Sequence, residues 1–128
     1  MKIFPMAKQY FDSYKKGVRG EEQAEVLLCS SGMSCIERRY RSPYGEIDLI
    51  MLDGETLVFV EVKARQNDSI YSAHSAVTPA KQRRIIQTAL CYLNEHPEHA
   101  FRPMRFDIVG LSDDCAQHFP DAFQGAGW

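Results

Sequence analysis

Three side chains in the 128-residue sequence have the types and spacing for chemistry: Asp48, Glu61 and Lys63. They interrupt its most apolar stretch, YGEIDLIMLDGETLVFVEVKAR, residues 44 to 65. Two carboxylates side by side in apolar surroundings repel each other, and each carries a desolvation cost. A bound cation answers both. Mg²⁺ suits such a pair because it takes hard oxygen ligands and keeps several waters for substrate phosphates. In that arrangement Asp48 and Glu61 hold the ion and the Val62 carbonyl adds a ligand. Lys63, one step along the same face, orients an attacking water and stabilises charge on a phosphate. The plainer alternative is an ordinary Glu61–Lys63 salt bridge where a strand emerges into solvent.

This chemistry depends on strands that gather the groups. Residues 46–52 and 56–63 read as strands joined at Asp53-Gly54, a hairpin signal. Residues of equal parity share a face. Glu46 and Asp48 therefore lie with Ile50 and Leu52, and Glu61 and Lys63 with Leu57 and Phe59. Val58, Val60 and Val62 point the other way, so the second strand is apolar on both faces and reads as central. Loop length decides whether the charged sets meet. A Gly54-Glu55 turn sets Asp48 opposite Glu61, and an Asp53-Gly54 turn sets Glu46 there with Asp48 one diagonal step away. A three-residue loop sends the two sets to opposite faces. An even loop is the expectation, because only that gathers the polar groups.

Helices flank these strands. After Gly17-x-x-Gly20, EEQAEVLLCSSG reads as a helix ended by Gly32 at the C′ position. Its core stripe is Ala24, Leu27, Leu28 and Ser31, and Glu21 falls near it. The helix dipole alone stabilises a carboxylate there; the alternative is a further acid reaching the same metal, directly or through water. IERRYR, residues 36–41, reads as a short, partly exposed strand before the turn Ser42-Pro43-Tyr44-Gly45. Thr78-Pro79 gives an N-cap with Pro at N1, opening a helix to about Asn94 that His96-Pro97 closes. On it Gln82 shares the stripe of Ile85, Ile86, Ala89 and Leu93 and points toward the site. Lys81 is at the margin, and Arg83 and Arg84 face solvent. MRFDIVGL, residues 104–111, is the last expected strand. Residues 64–77 read as a polar loop and 112–128 as an irregular tail. The order of helix, three strands, helix and strand describes one α/β domain over residues 1–128, with a mixed sheet and a core from about 17 to 111.

Composition bounds the setting. Hydrophobic residues make up 45% and charged residues 25%, as in ordinary globular proteins. No apolar run approaches the roughly 20 residues that span a bilayer, and MKIFPMAKQYFDSY has no apolar signal-peptide core. No membrane association and a cytoplasmic location are the expectations. The four cysteines form no C-x-x-C pair and read as reduced, largely buried thiols. The histidines are scattered without metal-ligand spacing. The formal charge is −2, but its distribution is uneven. Arg38, Arg39, Arg41, Lys63, Arg65, Lys81, Arg83 and Arg84 crowd the middle, whereas Asp107, Asp113, Asp114 and Asp121 follow the last Arg. An acidic tail masking a basic working face is one reading.

The series Gly17, Gly20, Glu21, Ala24, then YGEIDLI, FVEVKAR, TPAKQRR and RFDIVGL, resembles the YraN-like family of small uncharacterised bacterial proteins. The likeness runs from about Gly17 to Phe123. That family is similar to Holliday junction resolvases and to PD-(D/E)xK restriction endonuclease-like nucleases. The resemblance implies a restriction endonuclease-like α/β core, a mixed sheet flanked by helices, and Mg²⁺- or Mn²⁺-dependent hydrolysis of phosphodiester bonds. By position, Asp48 matches the metal-binding Asp, Glu61 and Lys63 the E-x-K, and Glu21 the helix carboxylate of resolvase-like members. Asp48 follows Ile47 in place of Pro, and Arg39 stands where relatives often carry Asn. Glu46 and Gln82 are supporting candidates. Nucleic acid is the implied partner, with structured or damaged DNA the implied substrate and a homodimer in the resolvase manner. Arg38, Arg39, Arg41, Arg65, Lys81, Arg83 and Arg84 would hold its backbone. The alternatives are a non-catalytic nucleic-acid-binding module on the same fold, or a protein-interaction domain with a relic site.

Overall fold

Leu57, Val58, Phe59 and Val60 are each no more than 1% exposed. A strand buried on both faces must sit inside a sheet with cover on each side, and the rest of the architecture is built around it. The computed structural model describes residues 2–5, 20–64, 77–112 and 115–125. Gly17, Arg65, His74, Asp113, Asp114 and all but the two end residues of the expected 64–77 loop lie outside the described residues.

The elements are β1 (Lys2–Pro5), α1 (Gly20–Ser30), β2 (Ser34–Ser42), β3 (Gly45–Asp53), β4 (Thr56–Ala64), α2 (Pro79–Glu95), a 3-10 turn (Pro97–His99), β5 (Met104–Leu111) and β6 (Cys115–Phe123). The six strands form one sheet in the order β1-β6-β5-β4-β3-β2. β4 and β5 are parallel and the other neighbours antiparallel. Parallel neighbours need a long crossover, and α2 lies in it. The result is the expected α/β architecture, a mixed sheet flanked by helices.

Each helix covers one face. Ile85, Ala89 and Tyr92 of α2 pack with Ile50, Leu57, Phe59, Phe106 and Ile108. Ala24 and Leu28 of α1 pack with Leu49, Met51, Val58, Val60 and Val109. Gly32, at φ +99°, ends α1 as expected. The amides of Gly32 and Met33 donate to the carbonyls of Cys29 and Leu28, a Schellman motif. α2 starts at its Thr78 cap, whose side chain accepts from the Lys81 amide at 3.2 Å. No described helix is long and apolar enough to cross a membrane.

Several expectations need correction. Residues 115–123 are a strand and not an irregular tail. Pairing shifts register between Phe106 and Ile108, which align with Phe123 and Phe119. That bulge houses Pro120, which has no amide to give a ladder. The start of the chain adds β1, paired with β6. The free cysteines are not buried: Cys29 is exposed, and Cys35, Cys91 and Cys115 are half-buried. Asp107 is fully buried, so it contributes nothing to an acidic surface.

Candidate functional site

The β3–β4 hairpin turns at Gly54-Glu55, because Asp53 aligns with Thr56. Gly54 takes φ +60°, a left-handed conformation that glycine adopts without steric cost. This even loop sets the register Leu52↔Leu57, Met51↔Val58, Ile50↔Phe59 and Leu49↔Val60. The next pair by count is Asp48 with Glu61, and there the ladder stops. The Val62 amide donates to Asp48 Oδ2 at 2.7 Å in place of a β3 carbonyl. The strands thus part at the carboxylate pair. Of the two even turns weighed from sequence, the structure selects the one that opposes Asp48 and Glu61.

Glu61 is only 7% exposed. Burial, then the hydrogen bond and like charge of Asp48, push its carboxyl up to about 8, against the pull of Lys81 and Lys63. Lys81 Nζ lies 3.5 Å from Glu61 Oε1. Burial alone would lower the Lys81 ammonium; the Glu61 and Asp48 carboxyls beside it raise it instead. The site is therefore a four-group cluster of two carboxylates and two ammonium groups. Sequence reasoning gave Lys81 only a nucleic-acid contact. The missed signal was its N3 position behind the Thr78 cap, at the start of the helix that follows β4.

The other candidates are placed elsewhere. Glu21 pairs with Arg39, at 3.3 Å between Oε1 and Nε. Glu46 lies 3.8 Å from Arg41, its partner across the β2–β3 hairpin. Gln82 donates to the Val77 carbonyl at 3.0 Å, bracing the start of α2. Arg38 makes a bidentate pair with Glu25, both contacts at 2.6 Å, which lowers the Glu25 carboxyl. Three of the expected phosphate-binding arginines on β2 are thus each matched to an acid. Arg83 and Arg84 are exposed on α2. Among the described residues, no group of three His, Cys, Asp or Glu converges as a metal-holding set. Asp48 and Glu61 are opposed by the hairpin register and coupled by a hydrogen bond and like charge.

A second buried polar cluster was not foreseen. Asp107 accepts from Arg105 at 2.9 and 3.2 Å and from the Asp121 amide at 2.9 Å. His118 Nε2 is 2.7 Å from Asp107 Oδ2, the oxygen it shares with one of the Arg105 contacts. Burial opposes ionisation of Asp107, but His118, Arg105 and the Asp121 amide hold its carboxyl below the usual range. Arg105 also reaches Asp53 at 2.9 Å. This network ties the β5–β6 bulge together. Beside it lies a pocket of about 300 Å³ lined by Thr56, Met104, Arg105, Asp121 and Phe123 among others, and by none of the Asp48 cluster.

Fold and cluster together define a class: an α/β protein whose mixed sheet opens at its β3–β4 hairpin around a carboxylate pair, half-buried at Asp48 and buried at Glu61. The model of the Uncharacterised protein family UPF0102 matches residues 20–111. The chain belongs to that family. A UPF0102 protein of Alcanivorax borkumensis is 46% identical over 101 residues, covering 79% of this chain and 81% of its own. One from Rhodopseudomonas palustris is 41% identical over 117 residues, covering 89% and 84%. One from Bordetella avium is 40% identical over 111 residues, covering 87% and 76%. These relatives carry the family name and no stated activity.

Proposed function

We propose that the protein is a divalent-metal-dependent nuclease that hydrolyses phosphodiester bonds in DNA. The observation that carries this reading is the Asp48–Glu61 pair at the point where β3 and β4 part, flanked by Lys63 and Lys81. A structural salt bridge needs one acid and one base. Two carboxylates pressed together, one buried and shifted upward, are a poor way to stabilise a fold and a good way to receive a cation.

The donor set fits Mg²⁺ or Mn²⁺. Hard carboxylate oxygens suit such an ion, and a site with only two of them leaves it with waters and room for a phosphate oxygen. The bound ion would supply Lewis-acid stabilisation of phosphate charge and a more acidic water. The Val62 amide fixes Asp48 in rotamer and direction. Lys63 orients the attacking water and balances charge on the phosphate. Water adds to phosphorus, the bond to the leaving oxygen breaks, and the proton lost by water is made good on that oxygen. Arg83 and Arg84, exposed on α2, would hold the backbone beside the site. Glu21 would act only after leaving Arg39.

The test offers junction, flap, linear and single-stranded DNA, and RNA, with Mg²⁺ or Mn²⁺, to wild type, Asp48→Asn and Lys63→Ala. Cleavage by wild type with a loss of about 10²-fold or more in each variant is expected. Cleavage that persists in both variants refutes the site. Salt-sensitive binding without cleavage would instead mark a non-catalytic binding module.

A further inference from the structure

The root and the tip of Lys81 behave differently. Its backbone is fixed in the first turn of α2 by the Thr78 cap. Its side chain is 32% exposed and ends 3.5 Å from Glu61 Oε1. Glu61 is the buried partner, at 7% exposure, so it has no room to turn outward and meet an incoming ligand. The ammonium is thus the movable half of the contact, a compact charge on a flexible four-carbon stem.

Given the metal-site reading of Asp48 and Glu61, on which this inference rests, that asymmetry bears on how the site fills. An ammonium on Oε1 occupies the oxygen that a divalent ion would use and repels the ion by like charge. Lys63 adds a second positive charge to the same cluster. We propose that Lys81 is a displaceable internal counterion of the Asp48–Glu61 pair, seated on Glu61, which balances the negative charge the two carboxyls share and sets the divalent-ion concentration at which the site loads. Lys81 swings out along its exposed side when the ion arrives. It is a positioning residue for the metal-free state and not a ligand of the loaded one.

The experiment is calorimetric titration of purified protein with MnCl₂ in the absence of nucleic acid. It compares wild type with Lys81→Gln, Lys81→Arg and Asp48→Asn, each checked for a native melt. One unit charge at this distance and partial burial predicts tighter Mn²⁺ binding in Lys81→Gln by about tenfold or more. Lys81→Arg keeps the charge and should bind as wild type does, and Asp48→Asn should lose binding. Equal or weaker binding by Lys81→Gln, with Asp48-dependent binding in wild type, overturns the counterion role and leaves the metal site standing. Failure of wild type and all Lys81 variants to bind Mn²⁺ overturns both readings.

Discussion

The Val62 backbone amide donates to the Asp48 carboxylate at 2.7 Å, one step beyond the last β3–β4 pair at Leu49↔Val60. A side chain thereby satisfies an amide that the parting of the strands would otherwise orphan. Asp48 has two separable duties, one to the backbone and one to the cluster. Asp48→Asn keeps an acceptor oxygen for Val62, whereas Asp48→Ala leaves the amide without one. At pH 6, where Glu61 is protonated and repulsion is small, chemical denaturation should find Asp48→Ala less stable than Asp48→Asn by about 1–3 kcal/mol. Equal stability would show that the hydrogen bond contributes nothing.

Glu61 predicts a pH dependence. Its carboxyl has an ordinary value of 4.5 and a folded value near 8. Between these the folded protein holds a proton that the unfolded chain has released. Stability therefore falls as pH rises through this window and levels off above it. Glu61→Gln removes the titrating group, so its melting temperature should exceed wild type at pH 9, with the gap closing toward pH 5. Parallel curves for the two proteins would rule the assignment out.

Asp107 predicts an acid limb of the opposite sense. Its folded carboxyl ionises below the ordinary 3.8, so its stabilisation is present above that value and disappears as pH falls through the folded one. Asp107→Ala strands His118 and the Asp121 amide at once and leaves Arg105 with Asp53. Breaking a buried ionic network from one side costs about 3–5 kcal/mol, measurable by urea unfolding at pH 7. A loss under about 1 kcal/mol would show the network to be dispensable.

Arg39 holds φ +52°, a left-handed backbone that costs a side chain other than Gly or Asn about 1–2 kcal/mol. Its pairing with Glu21 is half-exposed and contributes about 0–1 kcal/mol. Arg39→Asn should therefore be at least as stable as wild type by thermal melting, despite losing the ion pair. The backbone conformation alone then favours Asn at this position, independent of any phosphate contact. A drop of more than about 1 kcal/mol would refute it.

Much of this was legible in the sequence because a few local signals have single physical meanings. Two-faced apolarity at 57–60 placed β4 inside the sheet, Gly32 ended α1, and Thr78-Pro79 opened α2. The Asp48–Glu61 opposition was reachable only as one of two even turns, since DGE allows the tight turn at either of two positions and local pattern does not rank them. β6 was not legible. Its Pro120, His118 and Gln117 break the alternation that marks a strand, and they are tolerated because a bulge absorbs the Pro and a buried carboxylate receives the His. The Glu61–Lys81 contact joins two distant stretches of the chain and depends on how the crossover returns, which periodicity does not encode. The arginines of β2 were legible as charges, but their acids on α1 and β3 were not, so their pairing became visible only in three dimensions.

The place of β1 bears on how the molecule is made. Among the described strands β1 pairs only with β6, Lys2 aligning with His118. β1 precedes the other described strands in the chain and therefore has no template until β6, the last of them, has been synthesised. Meanwhile β2, β3 and β4 are hairpin neighbours and need only local contacts. Assembly should begin at the Gly54 hairpin and finish where the two ends of the chain meet, the slowest closure in the sheet because it spans the longest loop. The carboxylate pair is then built by the earliest-folding hairpin, and the last edge to zip lies at the far side of the sheet from β3.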